Sequence, residues 1–564
     1  MTALNKIRQV FGGHRIIFIV VLCLFGLCAM SKGPRKHKRR KTTDERIYLI
    51  HADVLHYDQY GSSAPGAQVL NGNVKFRHKG ATLSCDSAFY YEKDNSFEAY
   101  GHVRMTQGDT LTLTSEEAYY DGNDQMAEAR YNVVLRHRGT TLYTDSLNYD
   151  RLYNVGYFFE GGRMVDKKNT LVADWGEYNT ETHEAIFNYD VTLRNDQYTI
   201  YTDTLHYDTR TSQAHVVGPS RIVSGKNTIN TESAYYNSNT GQTQLYDRSS
   251  VVNEEKEMTA DSLFYNGKTG VSEGYNNVVY VDKGNKNSLD CDYFWYNDST
   301  GEAFATDRAV LKDFSQKDTL YVHADTIRMY SYNLNTDSLY RTAHCYNRVR
   351  AYRTDIQAVC DSLVYNTKDS CMTMYRDPIV WNLGRQMVGE KMEVFMGDST
   401  VERAHVIGQA FSIEMVHDSI HYNQVSSREM CAFFDNGQLS KTEAIGNVRT
   451  VYYPIEEKDS SLILLNYLET DTLRMFLADR QLQKVWTSSA EGVGYPMSQI
   501  PPGMEKLDGF AWFDNIRPLN KDDIFFWRGK REEEVLRPQT RHSAPLQQIR
   551  DGKIETLKGE EIKL

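Results

Sequence analysis

The apolar positions of this chain change phase around a recurring acidic residue. Around Asp145 the apolar or small residues are Leu142, Thr144, Leu147 and Tyr149, and around Asp203 they are Ile200, Thr202, Leu205 and Tyr207. Around Asp261 they are Met258, Ala260, Leu263 and Tyr265. Alternation is that of a β-strand on each side of the acid, where successive side chains point to opposite faces. Across the acid the buried face switches. A strand that changes face needs a bend or a bulge at the switch, so the acid is predicted to mark a corner around a narrow core.

The phrase recurs as small residue, acid, Ser or Thr, Leu, any residue, Tyr, usually followed by Asp or Asn. The acids Glu116, Asp145, Asp174, Asp203, Glu232 and Asp261 are each 29 residues apart. Asp53 and Asp86 precede them, and Asp292, Asp325, Asp361, Glu390, Glu429 and Asp471 follow at looser spacing. Turn signals such as Asn239-Thr240-Gly241 and Lys268-Thr269-Gly270 follow the phrase, and Gly and Asn supply the positive φ of tight turns. A second breaker recurs, as in Tyr100-Gly101-His102 and Ile445-Gly446-Asn447. Each repeat is therefore expected to hold two or three short strands. Its apolar side is covered only by the next repeat, so the repeats stack. The expected fold is all-β, an elongated, solenoid-like array over one continuous apolar interior.

Composition agrees, with 39 Tyr and only 11 Pro, since Tyr, Thr and Val favour half-buried pleated surfaces. Ile16 to Met30 is an apolar run after Lys6, Arg8 and Arg15. It suits a secretory signal and is short for a spanning helix. Seven Lys and Arg follow within residues 32–41, and positive charge resists translocation. Residues 1–31 are thus read as a cleaved signal peptide or a retained anchor helix, and 32–46 as a basic linker. Beyond residue 41 the chain carries 54 basic and 75 acidic residues, a balance that repels nucleic acid. Of the eight Cys, Cys85, Cys291 and Cys360 immediately precede the acid and read as small buried residues. Only Cys345 with Cys371 stands out as a candidate disulfide. Past residue 480 the pattern fails in a Pro-containing, aromatic segment (Phe510, Trp512, Phe513, Phe525, Phe526, Trp527). It is read as a cap for the stack or a docking segment, with a charged tail from about Arg531.

The chemistry of catalysis is not legible. A carboxylate at an equivalent place in every repeat is not a glycosidase pair, and the glycine-rich nonapeptide of calcium β-rolls is absent. No zinc spacing, phosphate loop or nucleophile elbow occurs. The acid is read as a structural corner that accepts backbone N–H bonds. The ladder of Tyr90, Tyr120, Tyr149, Tyr178, Tyr207, Tyr236 and Tyr265 is read as packing, with hydroxyls at a wet rim; a sugar-binding strip is the alternative. No metal, no cofactor and no catalytic residue is assigned.

Ala99-Tyr100-Gly101-His102-Val103 with Gln107-Gly108 and the alternating Thr110 to Leu113, and the Ile445-Gly446-Asn447-Val448 phrase, resemble the OstA family over about residues 47–480. That family comprises periplasmic lipopolysaccharide-transport proteins. The resemblance implies an open β-jellyroll, a folded-over sheet with an apolar groove, joined end to end with its partners through edge strands. It implies 47–300 as the regular OstA-like domain, 301–480 as less regular repeats of the same kind and 481–564 as cap and tail. The implied groove is lined by Leu113, Leu142, Leu147, Ile200, Leu205, Met258 and Leu263. The implied function is non-enzymatic: binding lipid A acyl chains during lipopolysaccharide transport across the periplasm, with other transport proteins as partners. The alternative is a structural or adhesin-like repeat protein with a closed core. The chain is longer than a single-domain bridge protein and lacks an evident membrane β-barrel beyond residue 480.

Overall fold

The computed structural model describes residues 45–57, 65–397, 400–456, 461–478, 481–528, 547–550 and 553–556. The expected signal or anchor segment, nearly all of the basic linker and most of the charged tail lie outside them. The described residues form antiparallel strands and three short 3₁₀ turns, and no helix among them is long and apolar enough to cross a membrane. Two compact units divide after Gly156.

In the first unit the strands Gln68–His78, Ala81–Tyr91, Ser96–Gln107, Leu111–Asp121, Met126–His137 and Thr140–Asp150 pair in sequence order. A repeat in this run is two long strands, whereas other repeats hold short ones of the expected kind, as at Gly162–Asp166, Asn169–Ala173 and Trp175–Asn179. Every ladder slips at the acid. Arg130 pairs with Ser146 and Val133 with Thr144, so Tyr131 and Asn132 together face Asp145. Both take positive φ, 61° and 54°. This two-against-one bulge sharpens twist and bends the strand. Every strand thereby becomes two arms. The arms before the acid form one leaf, here called the inner-numbered leaf A; those after it form leaf B.

Three side-chain devices fix the bend. The residue before the acid braces its own strand: the hydroxyls of Ser115, Thr144, Thr202 and Thr231 each donate to the carbonyl just beyond the acid. The acid itself mostly holds side chains of the neighbouring bulge, as in Asn73 to Asp53, His102 with Asp86 and Arg348 to Asp325. Backbone N–H bonds of the expected kind occur at Asp145, from Asn132, and at Asp292, from Asn277. Hence the corner is tied between strands more than within one. Lastly, the Asp or Asn after the Tyr accepts two turn N–H groups, as Asp121, Asp150 and Asn237 do. That is the Asx turn.

Register corrects one repeat assignment. Gly446, φ 83°, would place a Cβ 3.0 Å from Cβ of Arg428, the relation Gly101 has to Asp86. The bend residue there is Arg428, not Glu429.

The second unit continues the same architecture from Tyr157 on, through strands such as Glu184–Arg194, Thr199–Asp208, Gln213–Ser224 and Asn227–Asn237 to Leu464–Ala478. Here the aromatic segment beyond residue 496 lies on the outer face of leaf A and is called the strap; it does not cap the end of the array. Leu507 packs with Phe411, Ile413, Val451, Tyr453 and Leu465. Ile516 and Phe513 pack on Val359, Ile379 and Trp381. Buried glutamines read the strap backbone. Gln424 donates to Glu505 O and accepts from Leu507 N–H, both 2.8 Å. Gln386 repeats the pattern with Ala511 O, 2.7 Å, and Phe513 N–H, 2.8 Å. Gln357 accepts from Arg517 Nε at 2.8 Å.

His323 lies under the strap's end, against the Phe525 ring. It donates from Nδ1 to Ala309 O at 2.8 Å, and Arg350 pairs opposite it in the ladder. Burial lowers its pKa to about 4. The unfolded chain therefore takes up a proton below its ordinary pKa, 6.5, that the folded unit refuses. The second unit should lose stability as pH falls from 6.5 toward 4, and His323→Gln should flatten that slope in denaturant titrations run at pH 5 and pH 7.5.

The cysteines Cys85, Cys291, Cys345, Cys360, Cys371 and Cys431 are all free. The pairing of Cys345 with Cys371 is thus corrected. Cys345 faces Leu363, and Leu363 faces Met374, three residues along from Cys371. Two strand spacings of ~4.8 Å already exceed the ~7 Å Cα limit for a disulfide.

Candidate lipid groove

The inward residues of leaves A and B meet within each unit. In the first unit Phe76 of leaf A stacks on Phe97 of leaf B with centroids 4.3 Å apart. At the arm tips, away from the bend, a buried polar seam joins the two leaves. The Tyr120 hydroxyl bonds His78 Nδ1 at 2.7 Å and accepts from an Arg151 guanidinium nitrogen at 2.6 Å. Arg151 also donates to Gln107 Oε1, 3.0 Å, and Lys79 O, 3.1 Å. Such a seam closes the interior: polar groups this deep persist only when paired.

The second unit begins in the same way. The Tyr207 hydroxyl donates to Asp166 Oδ2 at 2.7 Å and accepts from Asn169 Nδ2 at 2.8 Å. Burial, reinforced by Asp166, pushes the Tyr207 pKa up. Lys167 Nζ reaches Ser212 Oγ at 2.8 Å, and Tyr198 packs edge-on against Tyr236. Beyond that contact the seam stops. Residues next to the bend stay buried, among them Ala234, Leu245, Ala260, Leu263 and Val278. Inward apolar residues at the tips, Ile229, Val251, Met258 and Tyr280, are only half-buried. Apolar surface at these tips is thus left partly uncovered, although Leu289 and Val322 of the same row stay buried. The same gradient continues at Leu311, Met329, Val380, Met387 and Leu468, which are half-buried while Ala309, Ile327 and Ala410 are buried. Tyr280 stands at these tips with its ring plane parallel to Phe294, 6.5 Å away, and its hydroxyl pushed up to about 12 by burial.

The seven groove positions read from sequence divide accordingly. Leu113, Leu142 and Leu147 in the first unit and Ile200 and Leu205 in the second are 0–3% exposed, within sealed stretches. Met258 and Leu263 sit in the stretch with half-buried tips, Met258 toward the tips and Leu263 near the bend. The tyrosine ladder divides the same way. Tyr90, Tyr120, Tyr149, Tyr178 and Tyr207 are buried, and the hydroxyls of Tyr90, Tyr120 and Tyr207 are bonded inside. A wet rim describes Tyr265, 40% exposed, but not those five. Sequence reasoning missed the seam because His78, Arg151 and Asp166 fall in turns or at arm tips, outside the repeated phrase.

At the start of the first unit, Tyr48–His51 and Val54–Tyr57 pair with Gln68–His78 on one side only, among the described residues. Leu55 and Tyr57, opposite Leu70 and Gln68, are 52% and 51% exposed. Among the described residues no group of three His, Cys, Asp or Glu is placed to hold a metal ion.

A search of curated proteins gives no match to the chain. A scan of family models matches residues 44–203 and 196–261 to one family, described as OstA-like protein. Those residues include the bent 29-residue repeats and the first half-buried tips, so the region 44–261 of this chain belongs to the OstA-like protein family.

Proposed function

We propose that this protein is a non-enzymatic lipid-binding component of lipopolysaccharide transport in the periplasm, holding acyl chains in the open stretch of the second unit. The observation that carries the reading is the change at Ile229, where buried arm tips give way to half-buried apolar ones. Apolar surface left at a mouth gains ~25 cal/mol per Å² when an acyl chain covers it. At ~0.8 kcal/mol per buried CH₂, one chain is held firmly yet reversibly. The sealed stretches contribute the frame on which the open one is built. The uncovered rung at Leu55 and Tyr57 supports strand addition by another transport protein, because an unpaired edge is a template for pairing.

The test is lipid analysis of the purified protein. The wild type should retain lipopolysaccharide. Ile229→Arg with Met258→Arg puts two cations into the mouth and should reduce bound lipid at least tenfold with the fold intact by circular dichroism. Retention unchanged by those substitutions would count against the groove. A second reading, a structural or adhesin-like repeat protein with a closed core, has the sealed interior of the first unit in its favour. It expects no lipid in either preparation.

A further inference from the structure

The outer face of leaf B carries a row of aromatic rings that the groove does not use. In the second unit the rings of Tyr246, Phe264, Tyr275 and Tyr293 follow one another across adjacent strands, each 5.2–5.8 Å from the next. Glu273 stands within the row. It lies directly opposite Phe264 on one side and Trp295 on the other. Its carboxylate accepts from the Tyr275 hydroxyl at 3.2 Å and from the Tyr293 hydroxyl at 3.3 Å. One carboxylate thus has four aromatic neighbours. Phenol hydroxyls donate without carrying charge, so its charge is left unmatched. No Lys or Arg on this face supplies the match. The outward leaf B positions on the strands from Thr199–Asp208 through Glu302–Thr306 hold neither residue.

Farther along the same face the chain supplies that cation itself. Lys391 Nζ lies 2.6 Å from Glu393 and 5.8 Å from the centroid of the Tyr375 ring. Lys441 Nζ lies 2.7 Å from Glu443 and 4.8 Å from the Phe433 centroid. Arg474 reaches the same Glu443 at 2.9 Å and stands 4.7 Å over the Trp486 ring. Carboxylate, ring and cation form one unit there. At Glu273 the carboxylate and the rings are in place and the cation is missing. The first unit repeats the incomplete arrangement at Glu98, which lies between Phe89 and Tyr119 in the ladder and accepts from the Tyr100 hydroxyl at 2.9 Å. Arg130, two strands on, pairs with Glu128 instead.

We infer that Glu273 and its four aromatic neighbours seat an arginine side chain presented by a partner protein. A cation is attracted both to the carboxylate and to the faces of the rings. A guanidinium suits the site best: it is planar, it stacks on an aromatic face, and its forked N–H groups meet both carboxylate oxygens. Tyr275 is 37% exposed, which leaves a ring open to the incoming group. The strand that carries Glu273 is hydrogen-bonded on both sides. A partner therefore reaches this site with a side chain and not by adding a strand.

The test labels the full chain with 5-fluorotryptophan and follows the fluorine resonance of Trp295, assigned among the six tryptophans by Trp295→Phe. The probe is N-acetyl-arginine amide, compared with its neutral analogue N-acetyl-citrulline amide and with phosphoethanolamine at matched ionic strength. The arginine probe should shift Trp295 saturably, and the citrulline probe should need at least tenfold more for the same shift. Glu273→Gln should weaken the arginine probe at least tenfold, with the other five resonances unmoved. In cells, a photocrosslinking phenylalanine at Gln244, opposite Phe264 in the ladder, should give a protein adduct that Glu273→Gln reduces at least tenfold. No saturable shift, an equal response to citrulline, or a shift that survives Glu273→Gln overturns the site. Phosphoethanolamine binding as tightly as the arginine probe, or lipid adducts in place of protein at Gln244, would make the occupant a lipid headgroup and overturn the partner, as would the lack of an adduct or one insensitive to Glu273→Gln. The site and the groove lie on opposite faces of leaf B, and lipid retention is read separately, so the two stand or fall independently.

Discussion

Trp381→Ala should destabilise the second unit by about 3–5 kcal/mol, the range for removing a large buried side chain. Trp381 is 0% exposed although it lies on the outside of leaf A. It is buried by the strap, against Phe513 and Ile516, and its indole nitrogen donates to Gln386 Oε1 at 3.2 Å. The same Gln386 oxygen accepts Phe513 N–H. Removing the indole leaves a cavity under the strap and loosens the glutamine that holds the strap's backbone. The loss should appear in denaturant unfolding as an earlier transition for the second unit, with the first unit's transition unmoved. Proteolysis should then cut near Pro501 and Pro502 faster than in the wild type. A variant that unfolds like the wild type would mean that the strap's packing adds nothing to leaf A.

Arg151→Met should cost the first unit roughly 3 kcal/mol, since hydrogen bonds to a buried charged group are worth about 1.5–3 kcal/mol and their loss strands the partners. Methionine keeps much of the apolar stem that arginine lays along its neighbours. What disappears is the guanidinium, which bridges the Tyr120 hydroxyl, Gln107 Oε1 and Lys79 O. Tyr120 and Lys79 stand at the tips of different leaves, so the substitution should also part them. Faster amide exchange at Thr106, Gln107 and Tyr120 would report the parting. Exchange no faster than in the wild type would show that apolar packing, and not the seam, closes this interior.

The bent strand was legible because the chain writes it as a phase change: Leu142 and Thr144 on one side of Asp145, Leu147 and Tyr149 on the other. Those inward residues are in the interior, and the ladder slips at Asp145 as the phase change requires. The partner of each acid was not legible, because it comes from the neighbouring strand's bulge, whose residues vary from Gly101-His102 to Asn347-Arg348. Open and closed interiors share the same inward pattern. Ile200 and Met258 both stand three before an acid, yet one is 1% exposed and the other half-buried. The difference is made at the tips, by Asp166, Asn169 and Tyr198, which no repeat phrase contains.

The strap did leave a trace. In six regular copies the residue four before the acid is Thr: Thr82, Thr112, Thr141, Thr170, Thr199 and Thr228. At the three bends under the strap it is Gln357, Gln386 and Gln424. A longer amide in a column of short hydroxyls signals a partner beyond the sheet. Reading it required the true bend residue at Arg428, which the acidic phrase misassigned by one position.

The most direct measurement places a photocrosslinking residue, one at a time, at matched inward positions: Leu113, Leu142, Ile200, Ile229, Met258, Tyr280 and Leu311. Lipopolysaccharide adducts are then scored for each. A step should appear between Ile200 and Ile229, with little product before it and strong product after. Adducts of equal yield at Leu142 and Met258, or none beyond Ile229, would contradict an open acyl-chain groove in the second unit.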